Sequence, residues 1–423
     1  MSPRVLHLST TDLKGGAARG SYWLHRALVE RSVDSTMLVE RKYANDDTVL
    51  GGASGGPLLR RARACAEEMS LAAYHKTDDS YWSVNWVPSP ICRAVDKLAP
   101  DIVHIHWSGG GFLPIEAVAR LGRPVVWTLR DMWPFTGGCH YTAGCEGYRH
   151  ACGNCPQLRS DRENDISRWI FDRKRRHWRG VPLHLVPISS WLADAARASP
   201  LFHHVPVDII PNGIDTAKFS SIDRNTARRA WNLPTDRHLV LFGAINATQD
   251  PRKGFAHLRM AIRRLAADGF AKRGMLVIFG ADKERDVDFG GVPVRYLGHV
   301  DDDRRLAKLY GAADVMVVPS LQEAFGKTLI EAMACATPVV AFDHGGPSDI
   351  VVHKVTGYLA QPFCHGDLAA GIAWCLSSGD RCVRLGRAAR ARAEIDYDIH
   401  GIARRYEELY RRIADNGAMA RSA

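Results

Sequence analysis

"PSLQEAFGKTLIEAMACATPVVAFDHGGPSD", residues 319–349, begins as the apolar run "DVMVVPS" (314–320) ends and contains a second such run, "TPVVAFD" (337–343). Both runs are continuous rather than alternating, which fits parallel strands covered on both faces. Between them residues 325–335 read as a helix. The chain therefore leaves a strand, loops past Glu323 and enters a helix near Gly326, with Glu331 one to two turns inside. The backbone N–H groups from Ala324 and Phe325 through Gly326, Lys327 and Thr328 then stand at the helix's positive end. That end suits an anion, above all a diphosphate. Glu323 is placed to accept sugar hydroxyls and Glu331 to reach a ribose. The plainer alternative makes Glu323 a loop charge and Glu331 a surface residue.

The same strand–helix rhythm extends in both directions. Further strand candidates are 4–9, 35–40, 101–107, 124–129 and 183–189, then 238–244, 275–281 and 293–298. Helical segments such as 18–31, 254–268 and 303–311 separate them, so the fold class is α/β, with the βαβ pattern run twice. Pro211-Asn212-Gly213 in "VDIIPNGIDTAKF" (207–219) gives a strong turn where the first run ends. The expected division is a Rossmann-like unit over 1–206, a second over 207–395 and a helical tail over 396–423 with a mostly solvated basic face. Two doubly wound sheets predict ligand binding in a cleft at their strand C-termini.

Bulk properties agree with two domains and narrow the partners. The 423 residues are 46% hydrophobic and 24% charged, enough for two full cores. A formal charge of +10 favours anionic partners. The start, "MSPRVLHLST", lacks a signal peptide's apolar region, and no stretch approaches the roughly 20 apolar residues of a spanning helix. The expected location is the cytoplasm, where disulfides are disfavoured.

Several motifs in order resemble the retaining glycosyltransferases of family 4, which have the GT-B fold, and in particular the bacterial polysaccharide-biosynthesis type. They are the E-x7-E pair of 323 and 331, "DLKGGAARGSYWL", "IIPNGID", "PRKGF" and "GHVDDDRRLAKLY", spread over nearly the whole chain. The resemblance implies a nucleotide diphosphate sugar donor on the C-terminal domain and an acceptor on the N-terminal one. It implies transfer of a hexosyl-type unit, with retention, to a hydroxyl of a glycan or lipid-linked oligosaccharide, in exopolysaccharide, capsule or lipopolysaccharide assembly. No catalytic metal or other cofactor is implied. The rival readings are a nucleotide-sugar epimerase or hydrolase on the same fold, and a non-catalytic partner in glycan assembly.

Other motifs divide between the two sites. In "ATQDPRKGF" (247–255), Arg252 and Lys253 precede a Gly and a helix, which suits a leaving pyrophosphate. Many relatives carry an Arg after the preceding Gly, whereas Gly243 is followed here by Ala244. Gly15 and Gly16 follow the first strand and allow close backbone approach to a ligand; by resemblance they lie under the sugar and diphosphate. "DDD" (301–303) imitates a metal-binding acidic motif, but directly before "RRLAKLY" it reads as helix capping. The family places Gly298 and Val300 near the nucleotide base.

On the acceptor side, "LRDMWPFTGGCHYTAGCEGYRHACGNC" (129–155) begins at a strand end. Arg130 stands where relatives often have a His that touches the donor sugar, Asp131 is the nearest carboxylate, and His106 is another candidate. Cys139, Cys145, Cys152 and Cys155 brace an insertion over 137–158, and their spacing suits a structural zinc, a reduced loop or disulfides. Basic and aromatic residues mix over 159–180, which fits either an anionic membrane surface or a solvated helix with its aromatics in the core. No module that reads nucleic acid bases is evident.

Overall fold

The computed structural model describes residues 3–53, 55–75, 81–282 and 287–422, with side chains described as far as residue 416. The chain divides into two units, Met1–Pro211 together with Ile402–Ala423, and Asn212–Gly401.

In the first unit the strands β1 (Val5–Thr11), β2 (Ser35–Arg41), β3 (Val49–Leu50), β4 (Ile102–Ile105), β5 (Val125–Leu129) and β6 (Leu183–Pro187) pair in parallel in the order β3-β2-β1-β4-β5-β6. The second unit has β7 (His238–Gly243), β8 (Gly274–Phe279), β9 (Val294–Tyr296), β10 (Val315–Val318), β11 (Val339–Phe342) and β12 (Gly357–Ala360). These also pair in parallel, in the order β12-β11-β10-β7-β8-β9. Both sheets have Rossmann winding, with the order reversing between β1 and β4 in one and between β7 and β10 in the other. The sequence reading lacks β3 and β12, which are short edge strands of two and four residues.

The continuous apolar runs are central because helices cover both faces. Val240, Phe242, Ile278, Val315 and Val340 are buried with the helical residues Leu258 and Ile262. Burying each such side chain contributes about 1.5–3 kcal/mol against chain entropy.

The chain's end corrects an expectation. Residues 396–423 are not a separate tail: from Ile402 the last helix, Ile399–Ser422, belongs to the first unit. Its Tyr406 and Tyr410 are buried, and their hydroxyls meet Thr128 at 2.8 Å and His104 at 2.6 Å. Arg31 pairs with Glu407 at 2.7 Å and Arg412 with Asp208 at 2.5 Å. The division of the units falls between Pro211 and Asn212 rather than after residue 206. Among the described residues no helix is long and apolar enough to cross a membrane.

Candidate functional site

In the second unit the winding places the loops after β7 and β10 side by side, and the candidate residues lie on them. Asp250 caps the short turn Pro251–Lys253 by accepting from the Arg252 N–H, and also pairs with the Arg252 guanidinium at 2.6 Å. Gly254 has φ +71°, and a Cβ there would lie 1.8 Å from the carbonyl oxygen of Pro319. The Leu321 N–H donates to the Arg252 carbonyl at 2.7 Å. The two loops are thus locked by backbone contact, and Lys253 Nζ meets Glu323 Oε2 at 2.6 Å. Both side chains stay partly accessible, at 20% and 15%. A third loop, after β11, closes on the same place: the Gly346 N–H donates to the Glu323 carbonyl at 2.9 Å.

Gly326, at φ +105°, turns the chain into the helix Lys327–Ala334. Phe325 and Ala324 are buried ahead of it, while Lys327 and Thr328 are half-buried on its first turn. The two glutamates do different things. Glu331 is 3% exposed, accepts from the Tyr310 hydroxyl at 2.7 Å, and faces Lys327 at 3.2 Å. It is neither a surface residue nor open toward a ligand, so contact with a ribose would have to be shared with those two partners. Gly298, at φ +66°, has open space where a Cβ would be, and its carbonyl accepts from the Gly280 N–H at 2.7 Å. Val300 is half-buried nearby in sequence. Asp302 caps the helix Asp303–Ala312 through the Arg305 N–H at 2.6 Å, so the acidic run is a helix start.

In the first unit Gly15, at φ +95°, caps the helix Gly16–Glu30, and neither Gly15 nor Gly16 has an atom within 4 Å of a built Cβ. That leaves an open backbone surface at the end of β1. The loop is held by Asp12, which is buried and accepts from the N–H groups of Leu13, Tyr43 and Ala44.

Arg130, Asp131 and His106 line one pocket with Trp107, Trp133 and His140. Asp131 accepts from Trp107 Nε1 at 2.9 Å, His140 Nδ1 at 2.7 Å and the Trp133 N–H at 3.0 Å. His140 Nε2 lies 2.9 Å from Ser83 Oγ. With three protein donors, the carboxylate first organises its own loop, and one of about four lone-pair sites remains for a hydroxyl. Arg130 is buried at Nη2 3.4 Å from His106 Nδ1, and burial lowers its pKa to about 10, so it keeps its charge. His106 Nε2 meets His7 Nδ1 at 2.8 Å. Burial first, with Arg130 adding to it in all three and the neighbouring imidazoles in His7 and His106, holds His7, His104 and His106 well below the usual histidine value, hence neutral.

The ring nitrogens of His7, His104 and His106 fall within 4.8 Å of one another. Both nitrogens of His104 are taken, by the Tyr410 and Thr128 hydroxyls, and Arg130 stands beside the group. The trio therefore reads as a polar core rather than a cation site. Sequence reasoning missed Ser83, His140, Asp12 and the two tyrosines, because each acts through a partner far away in the chain.

The basic stretch 159–180 is consumed internally in part. In the helix Ile166–Trp178, Ile170, Phe171, Lys174 and Trp178 are buried. Arg173 binds Glu116 at 2.9 Å, Arg175 pairs with Asp172 at 2.8 Å and Arg168 with Glu163 at 3.3 Å. Trp169 stays 46% exposed beneath the Arg173 guanidinium. Arg159, Arg162, Arg176 and Arg179 are exposed without a recorded acidic partner.

Two Rossmann-wound sheets of six parallel strands are the architecture of GT-B glycosyltransferases. The group 1 glycosyl transferases match residues 223–392, and Glycosyltransferase Family 4 matches residues 14–218. The chain belongs to this glycosyltransferase family. A D-inositol 3-phosphate glycosyltransferase of Mycolicibacterium vanbaalenii is 30% identical over 309 residues, which are 68% of this chain; the chain spans 62% of that relative's length. Sucrose-phosphate synthase of Thermosynechococcus elongatus superposes with a TM-score of 0.69 at 22% identity, covering 97% of this chain and 99% of that one. Anabaena HepE, crystallised with UDP and glucose, gives 0.65 at 18% identity, covering 96% and 99%.

Proposed function

We propose that this chain transfers a hexosyl-type sugar from a nucleotide diphosphate sugar to a hydroxyl of a lipid-linked glycan, with retention, in the assembly of a bacterial surface polysaccharide. The observation that carries the reading is the Lys253–Glu323 pair, 2.6 Å apart on interlocked loops at the switch point. A diphosphate drawn to the N-terminus of the helix Lys327–Ala334 brings its own negative charge to Lys253. The ammonium then turns from Glu323 to the phosphates, where it stabilises the charge that grows as the glycosidic bond breaks. Glu323, released, accepts from hydroxyls of the sugar. The acceptor hydroxyl attacks from the face the diphosphate leaves, and a phosphate oxygen takes its proton. Asp131, held by Trp107, Trp133 and His140, keeps one acceptor site for a hydroxyl of the acceptor on the first unit.

Support for a nucleotide-sugar donor comes also from HepE, solved with UDP and glucose. The test is thermal unfolding with UDP-, GDP- and ADP-sugars, comparing the wild type with Lys253→Ala. One donor class should raise Tm by several degrees, and the variant should lose at least a tenfold share of that affinity, about 1.4 kcal/mol. No shift with any donor, or an equal shift in the variant, would refute the assignment. Conversion of donor to a new sugar isomer without acceptor would favour an epimerase.

A further inference from the structure

The stretch after β5 carries Cys139, Cys145, Cys152 and Cys155, all with free thiols. They come from different turns of an irregular loop, yet all four line one pocket. Cys139 and Cys155 are buried, and Cys145 and Cys152 are half-buried. The backbone bends sharply to bring them there. Ala143 and Gly144 have φ of +49° and +87°, and Cys152, Gly153 and Asn154 have +57°, +93° and +47°. For the residues with side chains such conformations cost about 1–2 kcal/mol each, so the loop needs something to hold it.

One of the sulfurs is also met by a backbone donor. The Gly147 N–H reaches Cys145 Sγ at 3.4 Å. A neutral thiol accepts weakly, whereas a metal-bound thiolate accepts well and is commonly held this way. Lys174 points to the same conclusion. It is fully buried, donates to the carbonyls of Trp133 and Thr136, and lies 3.7 Å above the Trp133 ring. Burial lowers its pKa to about 7, and the acidic groups that oppose this most are Cys152 and Cys139, ahead of Asp131. A buried ammonium without an anion is costly, and thiolates beside it supply the missing charge.

We propose that Cys139, Cys145, Cys152 and Cys155 bind one structural Zn²⁺ in a closed four-thiolate site. Four sulfur ligands select zinc over harder cations, and a closed set leaves no position for catalysis. As the ion binds, each thiol gives its proton to solvent. Four thiolates and Zn²⁺ leave a net charge of −2, of which Lys174 offsets one. No three of the sulfurs lie within 4.8 Å of one another. Tetrahedral zinc with Zn–S near 2.3 Å sets them about 3.8 Å apart. Binding therefore draws the half-buried Cys145 and Cys152 inward over the pocket. The ion's work is to fix residues 137–158, and with them His140 beneath Asp131.

The full-length protein, dialysed in metal-free buffer under reducing conditions, should retain about one zinc per chain by elemental analysis, and an organomercurial should release it as about four thiols react. Cys155→Ser should lose nearly all the zinc, while Cys65→Ser, at an exposed thiol elsewhere, should keep it. Less than about a tenth of an equivalent of zinc in the wild type, or iron in its place, overturns the proposal. So does an intact mass under non-reducing conditions that shows the thiols joined as disulfides. If Cys155→Ser does not fold, the wild-type metal content and the mercurial release still decide.

Discussion

Acidification from pH 7.5 to 5.5 should destabilise the first unit by several kcal/mol, well before its carboxylates titrate. His7, His25, His104 and His106 are all buried there. Burial lowers His25 to about 4, with Arg26 adding to the effect and Asp46 opposing it, and holds the other three well below 6.5. In the unfolded chain all four protonate near 6.5, so below that pH the unfolded state binds more protons than the folded one. The stability they allow is complete above pH 6.5 and is lost as pH falls toward the folded values. One unit below, at pH 5.5, each histidine removes about 1.4 kcal/mol. Together they remove roughly 5–6 kcal/mol, comparable to the whole stability of many domains. Asp46 does not confuse the result: burial pushes it up, but the Thr48 hydrogen bonds, Tyr22 and Arg26 bring it down to about 2. Urea unfolding followed through the buried Trp127 and Trp133 reads the unit directly. His25→Gln, which can keep bonds to Ser35 and Thr48 without titrating, should cut the loss by about a quarter. Stability equal within about 1 kcal/mol at pH 7.5 and 5.5 would refute the reasoning, because four neutral buried imidazoles cannot leave the pH dependence flat.

Two further predictions concern the second unit. Gly254→Ala places a Cβ 1.8 Å from the Pro319 carbonyl at φ +71°, so the interlocked loops must part. Donor affinity should fall by about tenfold or more and stability by about 1–3 kcal/mol, whereas Gly379→Ala, which meets nothing, changes neither; isothermal titration with the donor and urea unfolding check both. Glu323→Gln removes the competitor for Lys253 Nζ. Binding of the nucleoside diphosphate alone should hold or strengthen, while kcat with the intact donor falls by about 10²-fold; weaker binding of the bare diphosphate would contradict the exchange of partners.

How much of this could be read beforehand follows from where each interaction closes. The parallel strands were legible because helices on both faces demand continuous apolar runs, and β5, Val125–Leu129, is buried at every position. Lys253 and Glu323 were legible as single residues because each sits just past a strand, where α/β sheets bind ligands. Their contact was not, since it depends on β10 lying against β7 across 70 residues. The partner of Glu331 was not legible for a related reason: its helix turns it inward, onto Tyr310 from a different helix. The last helix shows the limit most clearly. Tyr406 and Tyr410, four apart, mark one face in the sequence, but nothing local says which surface that face covers. It covers Thr128 and His104, so the chain's end seals the polar core that keeps His7, His104 and His106 neutral beside Arg130. Arg130, which looked like an odd substitution in an acceptor loop, is therefore a fixed charge of that core. Its exposure to a substrate is limited to the pocket it shares with His106 and Asp131.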